Sequence, residues 1–160
     1  MVWRWDAVDA YSMATLTFVF DPFCPRSAAV APTVLELWRE RRAGVTFTAA
    51  HAGTAVSRFG LGPDSERSAR AFCALRAVVP ELEVPIAVAL HQQTMSRRVL
   101  TELALRFGAN PARVFAALDA DAARAELARG RTLQLGPGPA LLFEHECIVS
   151  SLLAGMYATR

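Results

Sequence analysis

The order of strand and helix signals along the chain predicts an α/β protein with a central mixed sheet and a helical insertion. Short β-branched and aromatic runs occupy residues 15–21, 45–50 and 140–144. A long block between them, from about residue 56 to 130, has instead the caps, apolar spacing and breakers of helices. Strands near both ends of the chain, with helices between, are typical of one sheet interrupted by an insertion.

The first three elements form a strand–helix–strand unit. The strand at residues 15–21 is stopped by Pro22, and Pro25 begins a helix that runs to about Arg42. Residues 45–50 form the second strand. A unit of this kind requires a parallel strand pair with a right-handed connection.

Five helices, a hairpin and a last short helix are predicted to follow. Asn110 before Pro111 is a strong start signal, Asp119 is an N-cap of the same kind, and Gly130 is expected to end the helix that Asp119 begins. The predicted helices cover residues 64–79, 84–93, 96–107, a short stretch from 111, and 120–129. The hairpin pairs residues 140–144 with 147–150, and residues 152–159 form the last helix.

Size and composition favour one soluble globular domain. The chain has 160 residues, 53% of them apolar, and a formal net charge of +2, which is too small to indicate nucleic acid or an anionic membrane as the partner. No apolar run reaches the roughly 18 residues of a membrane span. The first 14 residues make a poor signal peptide, so we expect an N-terminal leader, a start at Met1 or Met13, a single domain over residues 15–160 and a cytoplasmic protein.

Cys24 is the candidate nucleophile. It stands between a strand and a helix that begins at Pro25, where unpaired backbone N–H groups and the positive end of the helix dipole favour an anion. A thiolate is stabilised in such a place. Arg26 is expected to add a cation, and Ser27 to donate its hydroxyl to the sulfur. The plain alternative is a small apolar residue at a strand end.

The sequence around Cys24 resembles a known family. Asp21-Pro22-Phe23-Cys24-Pro25 is similar to the D-P-x-C-P-W-C opening of DsbA-like proteins of the FrnE type, which are described as protein disulfide isomerases. The segment Gly136-Pro137-Gly138-Pro139-Ala140-Leu141-Leu142 resembles the family's G-V-x-G-F-P-T-L-L segment. The helical block is similar to the family's lid domain. The resemblance spans roughly residues 15–150 and implies a thioredoxin-like fold.

The resemblance also implies roles for residues around the cysteine. Pro139 is expected to have a cis peptide bond and to face Cys24, which would turn the backbone of Gly138 toward a bound peptide. Pro25, Arg26 and Gly138 are then the expected substrate contacts. The activity implied is thiol–disulfide exchange on protein or peptide disulfides or glutathione, with glutathione as co-substrate and no bound cofactor or metal.

One departure from the family changes the expected chemistry. The family's second cysteine is replaced by Ser27, so the motif is C-P-R-S. A dithiol enzyme releases a mixed disulfide through its second cysteine. Without one, Cys24 still attacks a disulfide, but an external thiol must release the adduct. The sequence therefore predicts a monothiol oxidoreductase or isomerase and disfavours a dithiol oxidase.

The remaining cysteines and histidines are weaker candidates. Cys73 is expected to be a buried small side chain, with a remote resolving thiol as the alternative, and Cys147 is expected to pack in the hairpin. His51 and His91 are expected at the surface or in the core, although either could approach a cleft. His145 and Cys147 have no zinc-ligand spacing to support them.

Two other function classes stay open. Kappa-class glutathione transferases and hydroxychromene-carboxylate isomerases use the same helix-inserted fold on small organic substrates, but with serine where this chain has Cys24. The second alternative is a redox-inactive module that binds peptides in the groove of the fold. The sequence does not decide the oligomeric state, and a homodimer is compatible with it.

Overall fold

The computed structural model describes residues 14–41, 45–53, 56–57, 60–61, 63–134, 138–145 and 148–151. These residues form six strands, six α-helices and one 3₁₀ turn. The strands are β1 (Ala14–Phe20), β2 (Val45–His51), β3 (Val56–Ser57), β4 (Gly60–Leu61), β5 (Ala140–His145) and β6 (Ile148–Ser151). The helices are α1 (Pro25–Arg39), α2 (Pro63–Val78), α3 (Glu83–Ala89), α4 (Arg97–Arg106), α5 (Pro111–Ala116) and α6 (Ala120–Leu133), with the 3₁₀ turn at Pro80–Leu82.

The larger sheet has four strands in the order β2-β1-β5-β6. β1 pairs with β2 in parallel, with Phe20 opposite His51, and with β5 antiparallel, with Val19 opposite Ala140. β5 and β6 form the antiparallel hairpin. The mixed sheet and the strand–helix–strand unit that the sequence predicts are both confirmed.

Both faces of β1 are largely buried, which explains why its sequence contains no polar residue larger than threonine. Leu16, Phe18 and Phe20 lie in the main core with side chains of α1, α2 and α3. Val19 points to the opposite face and packs with Ala50 of β2 and other small residues. Strand side chains alternate between faces, so a strand with helices on both sides has no polar face. The end of β1 is therefore held firmly where Cys24 follows.

The helix starts predicted from the capping residues Asn110 and Asp119 are confirmed, and Ser96 caps α4 in the same way. The hydroxyl of Ser96 accepts the Val99 N–H at 3.2 Å, and Oδ1 of Asn110 accepts the Ala112 N–H at 2.9 Å. Asp119 accepts the Asp121 N–H at 2.8 Å. Each of these bonds satisfies an amide that the helix itself leaves unpaired.

Gly130 does not end α6, which continues to Leu133. The reason is a close approach between α6 and the end of β2. A Cβ atom at Gly130 would stand 2.3 Å from the backbone oxygen of His51 and 2.7 Å from Cα of Ala52. Glycine is present because only a residue without a side chain fits, and not because the helix stops.

A buried ionic cluster also ties α6 to β2. Glu126 is 4% exposed, and its Oε1 accepts the backbone N–H of His51 at 3.0 Å. Arg76 of α2 donates to Oε2 of Glu126 at 2.9 Å, and Arg129 donates to Oε1 at 3.2 Å. A buried carboxylate is tolerated when its oxygens are paired in this way.

The insertion differs from the prediction in two details. It is not entirely helical, because β3 and β4 form a two-stranded antiparallel sheet at its start. The helix predicted over residues 84–93 is α3, which ends at Ala89 and leaves His91 in the following turn.

The leader and the last helix, predicted at residues 1–14 and 152–159, lie outside the described residues, apart from Ala14 in β1. None of the helices described has both the length and the apolar character to cross a membrane.

Candidate active site

Cys24 caps the N-terminus of α1. β1 ends at Phe20, the chain turns through Pro22, and the Cys24 N–H donates to the carbonyl of Asp21 at 3.1 Å. Cys24 has extended backbone angles, φ −85° and ψ 121°, and Pro25 occupies the first helical position. The strand, the turn and the proline together fix where the helix begins. The thiol is half-buried, so part of its surface remains open to a reactant.

The surroundings of Cys24 suit a negative charge. The first turn of α1 has no acidic residue, so no carboxylate opposes the positive end of the helix dipole. The side chain of Cys24 makes no capping hydrogen bond, so the helix favours the anion through its dipole and not through a hydrogen bond to the sulfur. Arg26 is exposed on the same turn, with no ion pair found for it among the described residues.

Ser27 is directed into the protein. It is 0% exposed, its Oγ accepts the Asp21 N–H at 3.2 Å, and it lies 2.8 Å from Nε2 of His91. The expected hydrogen bond from Ser27 to the Cys24 sulfur is absent from this part of the structure, and that prediction is wrong. The hydroxyl is hydrogen bonded to the imidazole ring instead.

His91, which the sequence indicates only as a weaker candidate able to approach a cleft, lies at the site. It lies in the turn after α3, where the backbone N–H of Gln92 donates to the carbonyl of Pro22 at 2.9 Å. Gln92 has a φ of +59°, which is uncommon outside glycine. It adopts this conformation in the same turn in which its N–H donates to Pro22. The ring of His91 packs against Phe20 with 5.7 Å between centroids. No local signal marks His91, because the contact joins residues 64 positions apart.

Hydrogen bonds define the tautomer of neutral His91. Nδ1 lies 3.1 Å from the carbonyl of Val88, which can only accept, so Nδ1 carries the hydrogen. Nε2 is then the acceptor for the Ser27 hydroxyl. Burial lowers the pKa of His91 below its ordinary value of 6.5, while hydrogen bonds to the backbone of α3 and the charge of Asp21 act against that shift. The ring is therefore neutral at pH 7.

Gly138 and Pro139 lie opposite the first turn of α1. A Cβ atom at Gly138 would be 3.8 Å from Cδ of Arg26, and Gly138 has a φ of +123°, which strongly favours glycine. The described residues contain no cis peptide bond, so the Gly138–Pro139 bond is trans and the expected cis bond is not found. The carbonyl of Gly138 accepts the side-chain amide of Gln134 at 3.3 Å, which leaves its N–H as the group it can offer to a peptide.

Solved structures with this architecture are known, although no protein-family model and no curated protein sequence matches the chain. A cytosolic disulfide reductase, DsbM from Pseudomonas aeruginosa, aligns over 89% of this chain and 91% of its own, with a TM-score of 0.68 and 21% identity. A proposed protein disulfide isomerase from Nitrosomonas europaea aligns over 86% and 88%, with a TM-score of 0.69 and 17% identity. The exchange protein alpha-DsbA2 from Wolbachia pipientis aligns over 85% and 73%, with a TM-score of 0.63 and 15% identity.

The chain has the thioredoxin-like fold of DsbA-type proteins. At these identities the likeness establishes the fold alone. It agrees with the element order observed here, in which a helical insertion separates the strand–helix–strand unit from the hairpin. In this DsbA-like fold, Cys24 and Ser27 occupy the first turn of α1, and the Gly138–Pro139 loop faces them.

Cys73 does not complete the site in this DsbA-like fold. Its thiol is buried in the insertion and donates to the carbonyl of Ala122 on α6, with a sulfur–oxygen distance of 3.8 Å. Burial raises the pKa of Cys73 to about 11, and the charge of nearby Arg76 acts in the opposite direction. Such a thiol is not ionised at neutral pH, and it forms no disulfide with Cys24. Cys147 and its neighbour residue 146 lie outside the described residues.

His51 is a core residue and not a ligand. It is 0% exposed, its Nε2 lies 3.1 Å from Oγ of Ser68, and its ring packs on Phe20 at 5.0 Å between centroids. Burial lowers the pKa of His51 to about 3. Within the described ranges there is no group of three His, Cys, Asp or Glu residues placed to hold a metal ion.

Proposed function

We propose that this protein catalyses thiol–disulfide exchange with Cys24 as its only nucleophile, and that an external thiol resolves the intermediate. The observation that carries the proposal is the contrast between residues 24 and 27. Cys24 is partly open at the start of a helix with no acid in its first turn, whereas Ser27 is buried and engaged by His91. The likeness to disulfide reductases and isomerases supports the same chemistry.

The reaction has two balanced steps. The Cys24 thiolate attacks one sulfur of a disulfide, a new sulfur–sulfur bond forms, and the other sulfur leaves as a thiolate. An external thiolate then attacks the substrate sulfur of the mixed disulfide, which releases Cys24 and yields a new disulfide. No electrons remain on the protein, because Ser27 cannot form a disulfide with Cys24. The net result is reshuffling, or reduction when the external thiol is in excess.

Glutathione is the external thiol that we propose. The exposed Arg26 beside Cys24 provides a cation for its carboxylates, and the N–H of Gly138 across the site is able to pair with its extended backbone. The DsbM structure solved with GSH supports this choice. The protein or peptide disulfide on the other side of the exchange is left to experiment.

Oxidised glutathione is expected to label one cysteine among those described. Incubation at pH 7.5 should give a mixed disulfide on Cys24 and none on buried Cys73, and excess reduced glutathione should reverse it. Mass spectrometry of the peptides after acid quenching measures both. A Cys24 that stays unmodified while the protein remains folded would contradict the proposal.

Replacing Ser27 by cysteine should convert the site to dithiol behaviour. The two sulfurs would then stand at the N-cap and third helical positions of α1, and Nε2 of His91 would be placed to take the proton of the new thiol. We expect an intramolecular disulfide, a measurable reduction potential, and loss of the stable glutathione adduct. Thiol counting before and after mild oxidation is the measurement.

Ala29→Cys is the matched control for this substitution. Residue 29 is exposed and lies five positions after Cys24, about 140° around the helix, so its side chain points away from Cys24. It should form no disulfide and should keep the glutathione adduct. If Ser27→Cys and Ala29→Cys behave alike, the placement of residue 27 beside Cys24 is wrong.

A further inference from the structure

The hydroxyl of Ser27 has a fully assigned set of partners. Its oxygen accepts the Asp21 N–H, and its hydrogen is directed to Nε2 of His91, because the carbonyl of Val88 fixes the ring hydrogen on Nδ1. A hydroxyl has a single hydrogen to donate. While His91 is neutral, Ser27 therefore cannot also donate to the sulfur of Cys24, three residues earlier on the same turn.

We propose that His91 is a positioning residue that withholds the Ser27 hydroxyl hydrogen from Cys24 and so tunes the sulfur as nucleophile and leaving group. The inference rests on the proposed function, since it concerns the same exchange reaction. It assigns a role to a residue that does not itself contact the substrate.

The environment of His91 keeps its ring neutral at pH 7. The neutral ring is the form whose Nε2 accepts the hydrogen of the Ser27 hydroxyl. The His91 ring packs against both Phe18 and Phe20, with centroid distances of 6.3 and 5.7 Å, in a setting that disfavours a charged imidazole. The titratable groups that act on it are the carboxylate of Asp21 and, beyond Phe20, the ring of His51. Asp21 favours protonation of His91, but burial outweighs it.

Withholding the hydrogen has a definite chemical consequence. A hydrogen bond donated to a thiolate stabilises the anion, which makes the sulfur a better leaving group and a weaker nucleophile. Without that donor, each Cys24 thiolate attacks a disulfide faster and departs from a mixed disulfide more slowly. His91 thus favours a mixed disulfide that persists until an external thiol attacks it.

The test measures alkylation of Cys24 by iodoacetamide as a function of pH in the full-length protein, with the Cys24 peptide quantified by mass spectrometry. His91→Leu removes the acceptor, so the freed hydroxyl should donate to the thiolate and move the alkylation midpoint down by about one pH unit. Release of glutathione from the Cys24 adduct by a fixed concentration of external thiol should become several-fold faster.

Two variants separate positioning from general structural damage. His91→Gln keeps an acceptor at the same reach and should retain the wild-type midpoint. On the Ser27→Ala background, His91→Leu should move the midpoint no further, because no hydroxyl remains to be redirected. A downward shift of the same size on that background, or an upward shift in His91→Leu alone, overturns the inference.

A measurement on the wild-type protein tests the inference even if the His91 variants do not fold. The ¹⁵N shifts of the His91 ring at pH 7.5 should report the tautomer with hydrogen on Nδ1, and the opposite tautomer overturns the inference. Failure of the inference about His91 can be distinguished from failure of the proposed function. If wild-type Cys24 forms the glutathione adduct but the midpoint does not respond to His91→Leu, only the role of His91 is refuted; if no adduct forms, both are.

Discussion

Cys24→Ser is expected to reduce glutathione-dependent disulfide exchange to the uncatalysed background, a loss of at least about 100-fold. The hydroxyl of serine is not ionised at neutral pH, so the helix start and Arg26 would have no anion to stabilise. The variant should fold normally, because the site is half-exposed and the change replaces one atom. The rate of reduction of a small mixed disulfide by glutathione, coupled to glutathione reductase and NADPH, is the measurement.

Cys73→Ala provides the control for that experiment. Its thiol is buried against α6, and burial raises its pKa to about 11, so its loss should leave the exchange rate within about twofold of wild type. Equal loss in both variants would show that the assay follows stability and not Cys24. Retained activity in Cys24→Ser, with an aromatic epoxide or halide as substrate, would favour the transferase class instead.

The elements nearest Cys24 could be predicted because their signals are local. An apolar strand, a turn at Pro22 and a proline at the first helical position determine β1, α1 and the N-cap within a dozen residues. The caps at Asn110 and Asp119 are local in the same sense. These predictions depend on hydrogen bonds that span four residues or fewer.

The predictions that were wrong depended on contacts between distant parts of the chain. Gly130 has the sequence signature of a helix end, yet its role is to admit the backbone of His51 from another element. Ser27 was expected to donate its hydroxyl to the sulfur of Cys24, yet its hydrogen-bond partner is His91, 64 residues away. The cis bond at Pro139 was carried over from a resemblance, and the chain around it has a trans bond. Tertiary packing decides such features, and one sequence contains no local record of it.

Acid is expected to unfold this protein through His51. The ring is 0% exposed, and its Nδ1 has no hydrogen-bond partner in the part of the chain described, so the charged form would bury an unpaired donor. The pKa is about 3 in the folded protein against an ordinary value of 6.5. Between these values the unfolded chain binds more protons than the folded one. Stability from this group is complete above pH 6.5 and is lost as the pH falls toward 3.

The expected size of the effect is about 3 kcal/mol between pH 7 and pH 4, from roughly 1.4 kcal/mol for each pH unit of proton uptake. His51→Gln cannot be protonated, and its amide reaches Ser68 as Nε2 does. Urea unfolding from pH 7 to pH 4 measures the free energy of unfolding of both proteins. The variant should be less stable than wild type at pH 7, because the ring contact with Phe20 is lost, and should overtake it near pH 4.

His91→Gln is the comparison that isolates His51. His91 also has a lowered pKa, but its ring is only partly buried and Asp21 opposes the shift, so its removal should change the pH dependence less. Curves for wild type and His51→Gln that run parallel from pH 7 to pH 4 would mean that His51 takes up no proton on unfolding. The acid sensitivity would then come from other titratable groups of the chain.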